Sequence, residues 1–333
     1  MRVVITGGAG FVGRKLVDRL LRDGEAAGPD GAMREISEIV VFDQTDPVPP
    51  LPDDRRVRAV AGDISDRATV EGVIAEGTGS VFHLAAVVSA AAEADLDLGL
   101  RVNLDGTRAV IDACRKLSAP PRLVFASSCA VYGGEPPVLV DDLTPPDPRT
   151  SYGAQKACGE LLVNDYSRRG IVDGRAVRLP TIVVRPGKPN KAASTFASSI
   201  LREPLSGVET ICPVEPRSRM AILSPRRLID CLMTLHNMNS ARLGAERRIL
   251  LPSISVTIGE MVEGLERAGG REAVDRIKWQ RDDHIQSIVD HWPARMEASR
   301  AAKLGLVGDR SIDEMIAAFV EDDLPAQKAL AQG

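Results

Sequence analysis

The chain has 333 residues, with 42 basic and 46 acidic side chains and a formal net charge of −4. This length suffices for one large domain or two closely joined domains. Because no basic block dominates the charge distribution, we expect no nucleic-acid or membrane partner. No apolar run approaches the ~20 residues of a membrane span and no charged leader precedes one, so a cytoplasmic protein is expected. The five cysteines lack metal-site spacing, which predicts reduced thiols and no metal centre.

The first predicted strand, Arg2–Thr6, is followed by glycines and then by an amphipathic helix over Phe11–Asp23. Three glycines have separate uses: the first makes a tight turn, the second lets backbone N–H groups approach a pyrophosphate, and the third lets the helix pack on the strand. The diphosphate would lie at the positive end of the helix. The pattern predicts a dinucleotide site, with a plain strand–helix turn as the alternative. The predicted cofactor residues here are Gly7, Gly10, Phe11, Val12 and Gly13.

The second predicted strand, Glu38–Asp43, ends in a carboxylate. Asp43 at this place would accept hydrogen bonds from both adenosine ribose hydroxyls and repel a 2′-phosphate, so NAD is favoured over NADP. The distance in sequence from Gly13 to Asp43 exceeds the usual ~20 residues. We interpret the glycine-rich segment Gly24–Glu35 as a loop inserted between helix and strand. A solvated strand-end aspartate is the alternative interpretation of Asp43.

The same alternation of strand and helix patterns continues along the first half of the chain. Further strands are predicted at Val57–Ala61, Ser80–Leu84, Arg122–Ser127 and Gly174–Leu179, with helices at Asp66–Glu76, Asp97–Leu117 and Tyr152–Arg169. This order predicts an α/β protein with a Rossmann-type, doubly wound parallel sheet covered on both faces. Ligands of such sheets bind at the carboxyl ends of the strands.

Three residues, one at the end of the fifth predicted strand and two in the helix that follows, carry the predicted chemistry. Tyr152 and Lys156 are four residues apart, which places both side chains on one face of a helix. The Lys156 ammonium can then lower the pKa of the phenol and also reach a cofactor ribose, so Tyr152 becomes a usable general acid or base near neutral pH. Ser128, after the strand, can hydrogen-bond the substrate oxygen. A Tyr–Lys pair at this spacing also arises by coincidence, but here it follows a glycine motif and a serine-bearing strand.

After about residue 180 the alternation weakens, and prolines separate short elements. Helices are predicted at Pro225–Asn237, Thr257–Ala268 and Ser311–Glu321. We therefore divide the chain into an NAD-binding Rossmann domain over residues 1–180, which carries the Ser/Tyr/Lys set, and a smaller mixed α/β substrate-binding region over residues 181–333.

Six segments resemble the extended short-chain dehydrogenase/reductase superfamily of NAD-dependent epimerases and dehydratases. They are TGGAGFVG (Thr6–Gly13), GDI (Gly62–Ile64), HLAA (His83–Ala86), VNLDGT (Val102–Thr107), SSCAVYG (Ser127–Gly133) and YGAQK (Tyr152–Lys156). The resemblance implies NAD as cofactor and Ser128, Tyr152 and Lys156 as the catalytic set. It further implies cofactor-binding or supporting roles for Asp63 and Ile64 beside the adenine, Ala85 and Ala86 under the cofactor, Asn103, Tyr152, Lys156 and Pro180.

Some of these residues have plainer explanations. His83 is expected to be a packed strand histidine rather than a catalyst or ligand, and any tight sheet can use small residues such as Ala85 and Ala86. Asn103 has the alternative of satisfying backbone groups from a helix face.

Two departures from the superfamily narrow the function. Sugar-nucleotide members usually follow the sixth strand with an Asn-x-Tyr-Gly-Pro type of segment, whereas this chain has Arg178–Lys191, which does not favour a nucleotide-sugar pocket. Dehydratases carry an acidic pair just after the catalytic serine. Here Cys129 and Ala130 follow Ser128, so dehydration is not expected.

The segments Arg178–Ser194, Ser127–Gly134, Thr150–Gly170 and Ile222–Arg227 are similar to a narrower group, the D-erythronate dehydrogenases. The similarity implies NAD-dependent oxidation of a four-carbon sugar acid at C2. Three cations lie on the loop after the sixth strand, and Arg185 can hold a carboxylate bidentately, although charge clusters on loops are often only solvated. The predicted substrate residues are Ser128, Tyr152, Thr181, Arg185, Lys188 and Lys191.

We therefore expect an NAD-dependent dehydrogenase that oxidises the C2 hydroxyl of a small sugar acid, with D-erythronate as the leading substrate. The alternatives are a nucleotide-sugar epimerase and a non-catalytic NAD-sensing protein, although the latter would be expected to lose Tyr152 or Lys156. A homodimer is expected through the two long helices, whose small residues permit close packing, but core burial explains those residues equally well. They are Ala109, Ala113, Ala154, Ala157 and Gly159.

Overall fold

A computed structural model describes residues 1–135, 137–188 and 193–332 of the protein. The strands are β1 (Arg2–Thr6), β2 (Glu25–Ala27), β3 (Met33–Glu35), β4 (Glu38–Asp43), β5 (Val57–Ala61), β6 (Thr78–His83), β7 (Arg122–Ser128), β8 (Val140–Asp141), β9 (Asp173–Leu179), β10 (Thr181–Ile182), β11 (Thr210–Cys212), β12 (Arg219–Leu223), β13 (Arg248–Leu250), β14 (Ile254–Thr257), β15 (Ile277–Trp279) and β16 (Met296–Glu297).

The helices are α1 (Phe11–Asp23), α2 (Arg67–Val73), α3 (Ser89–Ala94), α4 (Leu96–Gly99), α5 (Gly106–Cys114), α6 (Ser151–Arg168), α7 (Thr195–Leu205), α8 (Pro225–Asn237), α9 (Ile258–Asp275), α10 (Asp283–Asp290), α11 (Ser299–Lys303), α12 (Ile312–Asp322) and α13 (Leu324–Gln332). A π-helix covers Leu100–Asp105, and 3-10 helices cover Cys129–Val131 and Ser240–Arg242. None of the described helices combines the length and apolar composition needed to span a bilayer.

The chain folds into two units, and each is assembled from several segments. The first contains Met1–Ser128, Thr150–Arg178 and Ile229–Ile249, and the second contains Cys129–Arg149, Leu179–Leu228 and the residues from Leu250 onward. The sequence predicts one boundary at residue 180, and the structure differs in that a late segment returns to the first unit. This return has a structural reason, because the segment carries most of α8 and most of β13, and β13 is an edge strand of the first unit's sheet.

The first unit is built on a seven-stranded sheet in the order β13-β9-β7-β6-β1-β4-β5. The pairs of β1 with β4 and β6, of β4 with β5 and of β6 with β7 are parallel. Val4, Val40 and Val81 in the central strands are completely buried, as expected for a parallel sheet covered on both faces. The predicted Rossmann-type α/β fold is confirmed. Thr6 lies opposite both Phe42 and His83, so the carboxyl ends of three strands share one edge.

Helix α1 has the predicted bounds, and its sequence explains both ends. Leu16, Val17 and Leu20 form its buried face, spaced three and four residues apart. Gly10 precedes the helix in an extended conformation. Gly24 ends it at a φ of 71°, a left-handed conformation that favours glycine, and its N–H donates to the Leu20 carbonyl.

The insertion Gly24–Glu35, predicted as a loop, instead contains an antiparallel ribbon. Strands β2 and β3 pair from Glu25 with Glu35 to Ala27 with Met33. A tight turn closes the ribbon, with the Gly28 N–H donating to the Ala32 carbonyl at 2.8 Å. The prediction was wrong because three residues per strand are too few to show a two-residue hydrophobic period.

Two buried arginines attach this insertion and the returning segment to the sheet. Arg122 donates to the Gly28 carbonyl at 2.8 Å and to the Met238 carbonyl at 2.9 Å. Arg175, with no exposed surface, donates to the carbonyls of Leu235 at 2.7 Å and Met238 at 3.1 Å. The last carbonyls of a helix receive no hydrogen bond from within the helix. At the end of α8 the two arginines supply these hydrogen bonds, and the helix dipole favours positive charge at this end.

The second unit contains the three-stranded sheet β10-β12-β14 and the pairs β11-β15 and β16-β8. Strand β12 pairs in parallel with β10 and antiparallel with β14. Helices α7, α9 and α12 bury Ile200, Met261 and Ile316 in one hydrophobic core. The predicted helices at Pro225–Asn237 and near residues 257–268 and 311–321 are present as α8, α9 and α12.

Candidate active site

Two glycines of the turn between β1 and α1, Gly7 and Gly13, leave no space for a side chain. Gly7 has a φ of 68°, and a Cβ atom there would lie 2.6 Å from the Ala85 nitrogen. A Cβ atom on Gly13 would lie 2.5 Å from the Gly8 Cα atom. Gly10 is exposed and is followed directly by the first turn of α1. The turn therefore has the shape of a pyrophosphate cradle, with the helix N–H groups available to an anion.

Asp43, the last residue of β4, is partly buried and held in place by backbone donors. Its Oδ2 accepts the Ala9 N–H at 3.0 Å, and its Oδ1 accepts the Gln44 N–H at 2.8 Å. A carboxylate has about four lone-pair sites, so acceptor capacity remains for two ribose hydroxyls. The bond to Ala9 places the carboxylate beside the glycine turn, which is the arrangement that a dinucleotide site requires.

We expect Asp43→Ala to narrow the preference for NAD over NADP, measured as the ratio of the two kcat/KM values, by roughly tenfold or more. The physical reason is that the substitution removes the repulsion of a 2′-phosphate. Asp46→Ala, an exposed aspartate of the following loop, is the matched control and is expected to leave the ratio unchanged. Wild-type protein that uses NADP as well as NAD would contradict the assignment of Asp43.

Asp63 and Ile64, which follow β5, differ in exposure. The exposed Asp63 carboxylate accepts the Ser65 N–H at 2.8 Å and the Ser65 hydroxyl at 2.7 Å, and these hydrogen bonds lower its pKa. Ile64 is 7% exposed and lies against Gly106, where a Cβ atom would meet it at 2.9 Å. Their contact with an adenine ring stays a prediction.

His83 is a packed strand histidine, as expected. Its ring nitrogens lie 2.7 Å from the Thr6 hydroxyl and 3.0 Å from the Thr107 hydroxyl. Complete burial lowers its pKa to about 3, so the ring is neutral at physiological pH. Ala85 and Ala86 follow it and are partly buried.

Tyr152 and Lys156 lie together on α6. The helix begins at Ser151 and is capped by the Thr150 hydroxyl, which accepts the Gly153 N–H at 3.1 Å. The Lys156 Nζ atom is 5.6 Å from the centre of the Tyr152 ring, as the four-residue spacing requires.

Burial changes the acid–base properties of Lys156, which is 2% exposed. Loss of hydration lowers its pKa from 10.5 to about 7, although the negative charge of Glu160 acts in the opposite direction. The ammonium also lies 4.8 Å from the centre of the Phe125 ring and donates to the Ala126 carbonyl at 2.8 Å. Because its pKa is about 7, Lys156 changes between its charged and neutral forms near neutral pH.

Ser128 ends β7 and is partly buried. It lies two residues after Ala126, whose carbonyl accepts the Lys156 ammonium. The strand end and helix α6 are therefore joined immediately beside the predicted catalytic serine. The three predicted catalytic residues belong to the same unit.

A buried ion pair that was not predicted from the sequence, Glu160 with Arg178, supports helix α6 beside Lys156. Glu160 is 1% exposed, and Arg178 donates to both of its carboxylate oxygens at 2.8 and 2.6 Å. The Ser127 hydroxyl donates to the same carboxylate at 2.6 Å. The signal was available, because Glu160 continues the spacing of Tyr152 and Lys156 by four more residues on the same helix face.

Both polar atoms of the Asn103 side-chain amide form hydrogen bonds with other protein groups. Its Oδ1 accepts the Val87 N–H at 2.8 Å, and its Nδ2 donates to the Val87 carbonyl at 3.1 Å and to Gln155 Oε1 at 2.8 Å. Asn103 lies within the π-helix Leu100–Asp105, which interrupts the helix predicted over Asp97–Leu117. Such local widening of a helix is frequent at functional sites. The observed bonds give Asn103 a role in supporting the loop after β6.

The remaining predicted residues belong to the second unit. Pro180 is buried, and Thr181 pairs with Ile222 in the sheet. Arg185 is partly buried, and its guanidinium donates to the Ser194 hydroxyl at 3.0 Å. Lys188 is exposed, and Lys191 lies outside the described residues.

Arg185 makes no ion pair with any carboxylate that the structure describes. Burial, and secondarily the charge of Arg202, lowers its pKa to about 10. A guanidinium so placed is a candidate partner for an external carboxylate.

Two further observations concern metals and thiols. In the part of the chain that the structure describes, no three His, Cys, Asp or Glu side chains are grouped so as to hold a metal ion. None of the five cysteines forms a disulfide bond.

A parallel sheet whose first turn is shaped for a dinucleotide, beside a tyrosine and a buried lysine on one helix, defines a Rossmann-fold protein of the short-chain dehydrogenase/reductase class. Comparison with known families agrees, since residues 3–215 match the NAD dependent epimerase/dehydratase family. The chain belongs to this family.

Individual relatives extend over nearly the whole chain. The D-erythronate dehydrogenase of Cupriavidus necator is 51% identical over 97% of this chain and 98% of its own length. That of Haemophilus influenzae is 40% identical over 97% and 100%. The crystal structure of a nucleoside-diphosphate-sugar epimerase from Agrobacterium tumefaciens superposes with a TM-score of 0.90 at 40% identity and covers 98% of this chain and 96% of its own.

Proposed function

We propose that the protein is an NAD-dependent dehydrogenase that oxidises the C2 hydroxyl of a small sugar acid, with D-erythronate as substrate. The observation that carries the proposal is Arg185, a partly buried guanidinium with no carboxylate partner among the described residues. The similarity to two D-erythronate dehydrogenases over nearly the full length supports it.

NAD fits the residues of the first unit. The turn at Gly7 and Gly13 has no space for a side chain, as a pyrophosphate cradle requires, and Asp43 beside it retains acceptor capacity for ribose hydroxyls. Lys156 would hydrogen-bond the second ribose. NAD, when bound, would supply the hydride acceptor for the oxidation at C2.

Tyr152 supplies the proton chemistry. As phenolate it takes the proton of the C2 hydroxyl, so the C2 carbon is left as a ketone once its hydride has gone. Ser128 donates a hydrogen bond to the reacting oxygen and holds it in place. Lys156, 5.6 Å from the ring centre, favours the phenolate when it is protonated.

Arg185 pairs with the substrate carboxylate in this proposal. We expect Arg185→Ala to raise the KM of the sugar acid roughly ten- to a thousandfold, because a charge-assisted pair is lost, with the Kd of NAD little changed. Arg185→Lys is expected to recover only part of the loss, since an ammonium cannot reproduce the guanidinium fork. Lys188→Ala, at an exposed position of the same loop, is expected to raise the KM by a smaller factor, because water reaches this side chain. A bound hydroxy acid whose carboxylate lies far from Arg185 would refute the assignment.

An epimerase is the second candidate, because the Agrobacterium tumefaciens relative at 40% identity is described as one. A screen of NAD reduction over four- to six-carbon sugar acids and UDP-sugars separates the two. A dehydrogenase accumulates NADH with a free acid, whereas an epimerase returns the hydride and accumulates none. No NADH with any sugar acid would exclude the leading proposal.

We further propose a homodimer that uses helix α6. Ala154, Cys158 and Leu161 form an exposed stripe on it at four- and three-residue spacing, and Leu161 is 62% exposed. Ala109 and Ala113, in contrast, are buried in the core, which accounts for their small size. A cytoplasmic location is also part of the proposal, and five cysteines without a disulfide bond suit a reducing compartment.

A further inference from the structure

Helix α7 and its N-cap residue, Ser194, hold Arg185 at three points. The Ser198 hydroxyl accepts the Arg185 backbone N–H at 3.0 Å, and Arg202 Nη1 donates to the Arg185 carbonyl at 2.6 Å. The Ser194 hydroxyl, just before the helix, accepts the Arg185 guanidinium at 3.0 Å. The position of the Arg185 backbone and the direction of its side chain therefore both depend on α7.

Arg202 is itself fixed and is not accessible to a ligand. It is 2% exposed, and its Nη2 donates to Glu203 Oε1 at 2.6 Å and to the Ser199 hydroxyl at 3.2 Å. Both terminal nitrogens therefore bind protein groups, and the charge is compensated by a neighbouring carboxylate. Arg202 is therefore placed to influence a substrate through the residues that it contacts.

The charges of this cluster are unbalanced in a way that favours an external anion. The cluster, defined as Arg185, Arg202 and Glu203, contains two cations and one carboxylate, and the carboxylate is bonded to Arg202. Repulsion from Arg202 adds to burial in lowering the pKa of Arg185. An anion that pairs with Arg185 would neutralise the remaining charge.

We propose that Arg202 is a positioning residue for substrate binding: by holding the Arg185 carbonyl, it fixes the guanidinium of Arg185 in the orientation that binds the carboxylate of the sugar acid. Arg202 does not touch the substrate. This inference rests on the proposed function, because it takes Arg185 as the carboxylate partner. According to this inference, substrate affinity also depends on Arg202, a buried residue of α7 that lies outside the loop carrying Arg185.

A double-mutant cycle with Arg202→Lys and Arg185→Ala tests the inference, with the KM of the sugar acid, kcat and the Kd of NAD measured for each protein. Arg202→Lys keeps the charge but not the fork, and we expect it to raise the KM roughly ten- to a hundredfold. The Kd of NAD and kcat are expected to change by less than about threefold. In the Arg185→Ala background, Arg202→Lys is expected to raise the KM by less than about twofold, because the residue through which it acts is gone.

Arg226→Lys is the matched control, since this arginine of the same unit pairs with Glu321 and Asp322 at the surface. If Arg202→Lys raises the KM by the same factor in both backgrounds, it acts independently of Arg185 and the inference is overturned. An unchanged KM in Arg202→Lys overturns it equally. If Arg185→Ala leaves the KM unchanged, the carboxylate assignment of the proposed function itself fails.

Ser198→Ala provides a second variant in case Arg202→Lys does not fold. It removes the acceptor of the Arg185 N–H without changing any charge. We expect it to raise the KM of the sugar acid roughly three- to tenfold, again only when Arg185 is present. An unchanged KM, or an equal rise in the Arg185→Ala background, would overturn the inference.

Discussion

Tyr152→Phe is expected to lower kcat for sugar-acid oxidation by about a hundredfold or more, because the general base is lost. The Kd of NAD is expected to stay nearly unchanged, since the ring remains and only the phenolic oxygen is removed. Steady-state kinetics and a binding titration with NAD measure the two quantities.

Tyr166→Phe is the matched control for this variant. Tyr166 lies on the same helix, where its hydroxyl donates to Asp112 at 3.2 Å, and it has no place in the proposed chemistry. Its kcat is expected to remain close to wild type. Activity of Tyr152→Phe within a few-fold of wild type would remove Tyr152 from the mechanism.

Lys156→Met is expected to weaken NAD binding and to move the pH optimum of kcat upward. The side chain serves the ribose and the phenol together, and without the ammonium the pKa of Tyr152 rises. The measurements are the pH profile of kcat and the Kd of NAD. Lys116→Met, which removes a surface lysine paired with Glu71, is the control. An unchanged pH profile in Lys156→Met would argue against the phenolate role.

The same variant has an expected effect on the stability of the cofactor-free protein. Burial lowers the pKa of Lys156 from 10.5 to about 7, so below about pH 7 the folded protein holds a buried ammonium at a cost in free energy. Between about pH 7 and pH 10.5 the folded state binds fewer protons than the unfolded state, and stability rises with pH. Lys156→Met is therefore expected to unfold at a higher temperature than wild type at pH 6, with a difference that narrows toward pH 10.

Long, strongly patterned elements could be predicted from the sequence. Strands β1, β4 and β5 and helices α1 and α8 have the predicted bounds, because their hydrophobic periods are clear and glycine, proline or a polar residue marks their ends. The four-residue spacing of Tyr152 and Lys156 is visible in the sequence for the same reason.

Other features depend on tertiary contacts that no local pattern records. In the π-helix at Leu100–Asp105 each hydrogen bond spans five residues and not the four of an α-helix. The hydrophobic pattern of the sequence is helical in both cases, so it does not distinguish them. The pair of Glu160 with Arg178 joins a helix to a strand, and each residue alone resembles a solvated charge. Burial of Arg185 could not be inferred from a loop rich in proline, glycine and cations.

The return of Ile229–Ile249 to the first unit has a consequence for recombination between related genes. A single crossover at residue 180 would combine Arg122 and Arg175 from one parent with the end of α8 from another. Both guanidiniums are buried and donate to the Met238 carbonyl, and Arg175 also donates to the Leu235 carbonyl, so a mismatch in this segment would leave costly unsatisfied donors. Hybrids of divergent parents are therefore expected to fold best when the returning segment and the N-terminal strands are inherited from the same parent, although they lie far apart in the gene.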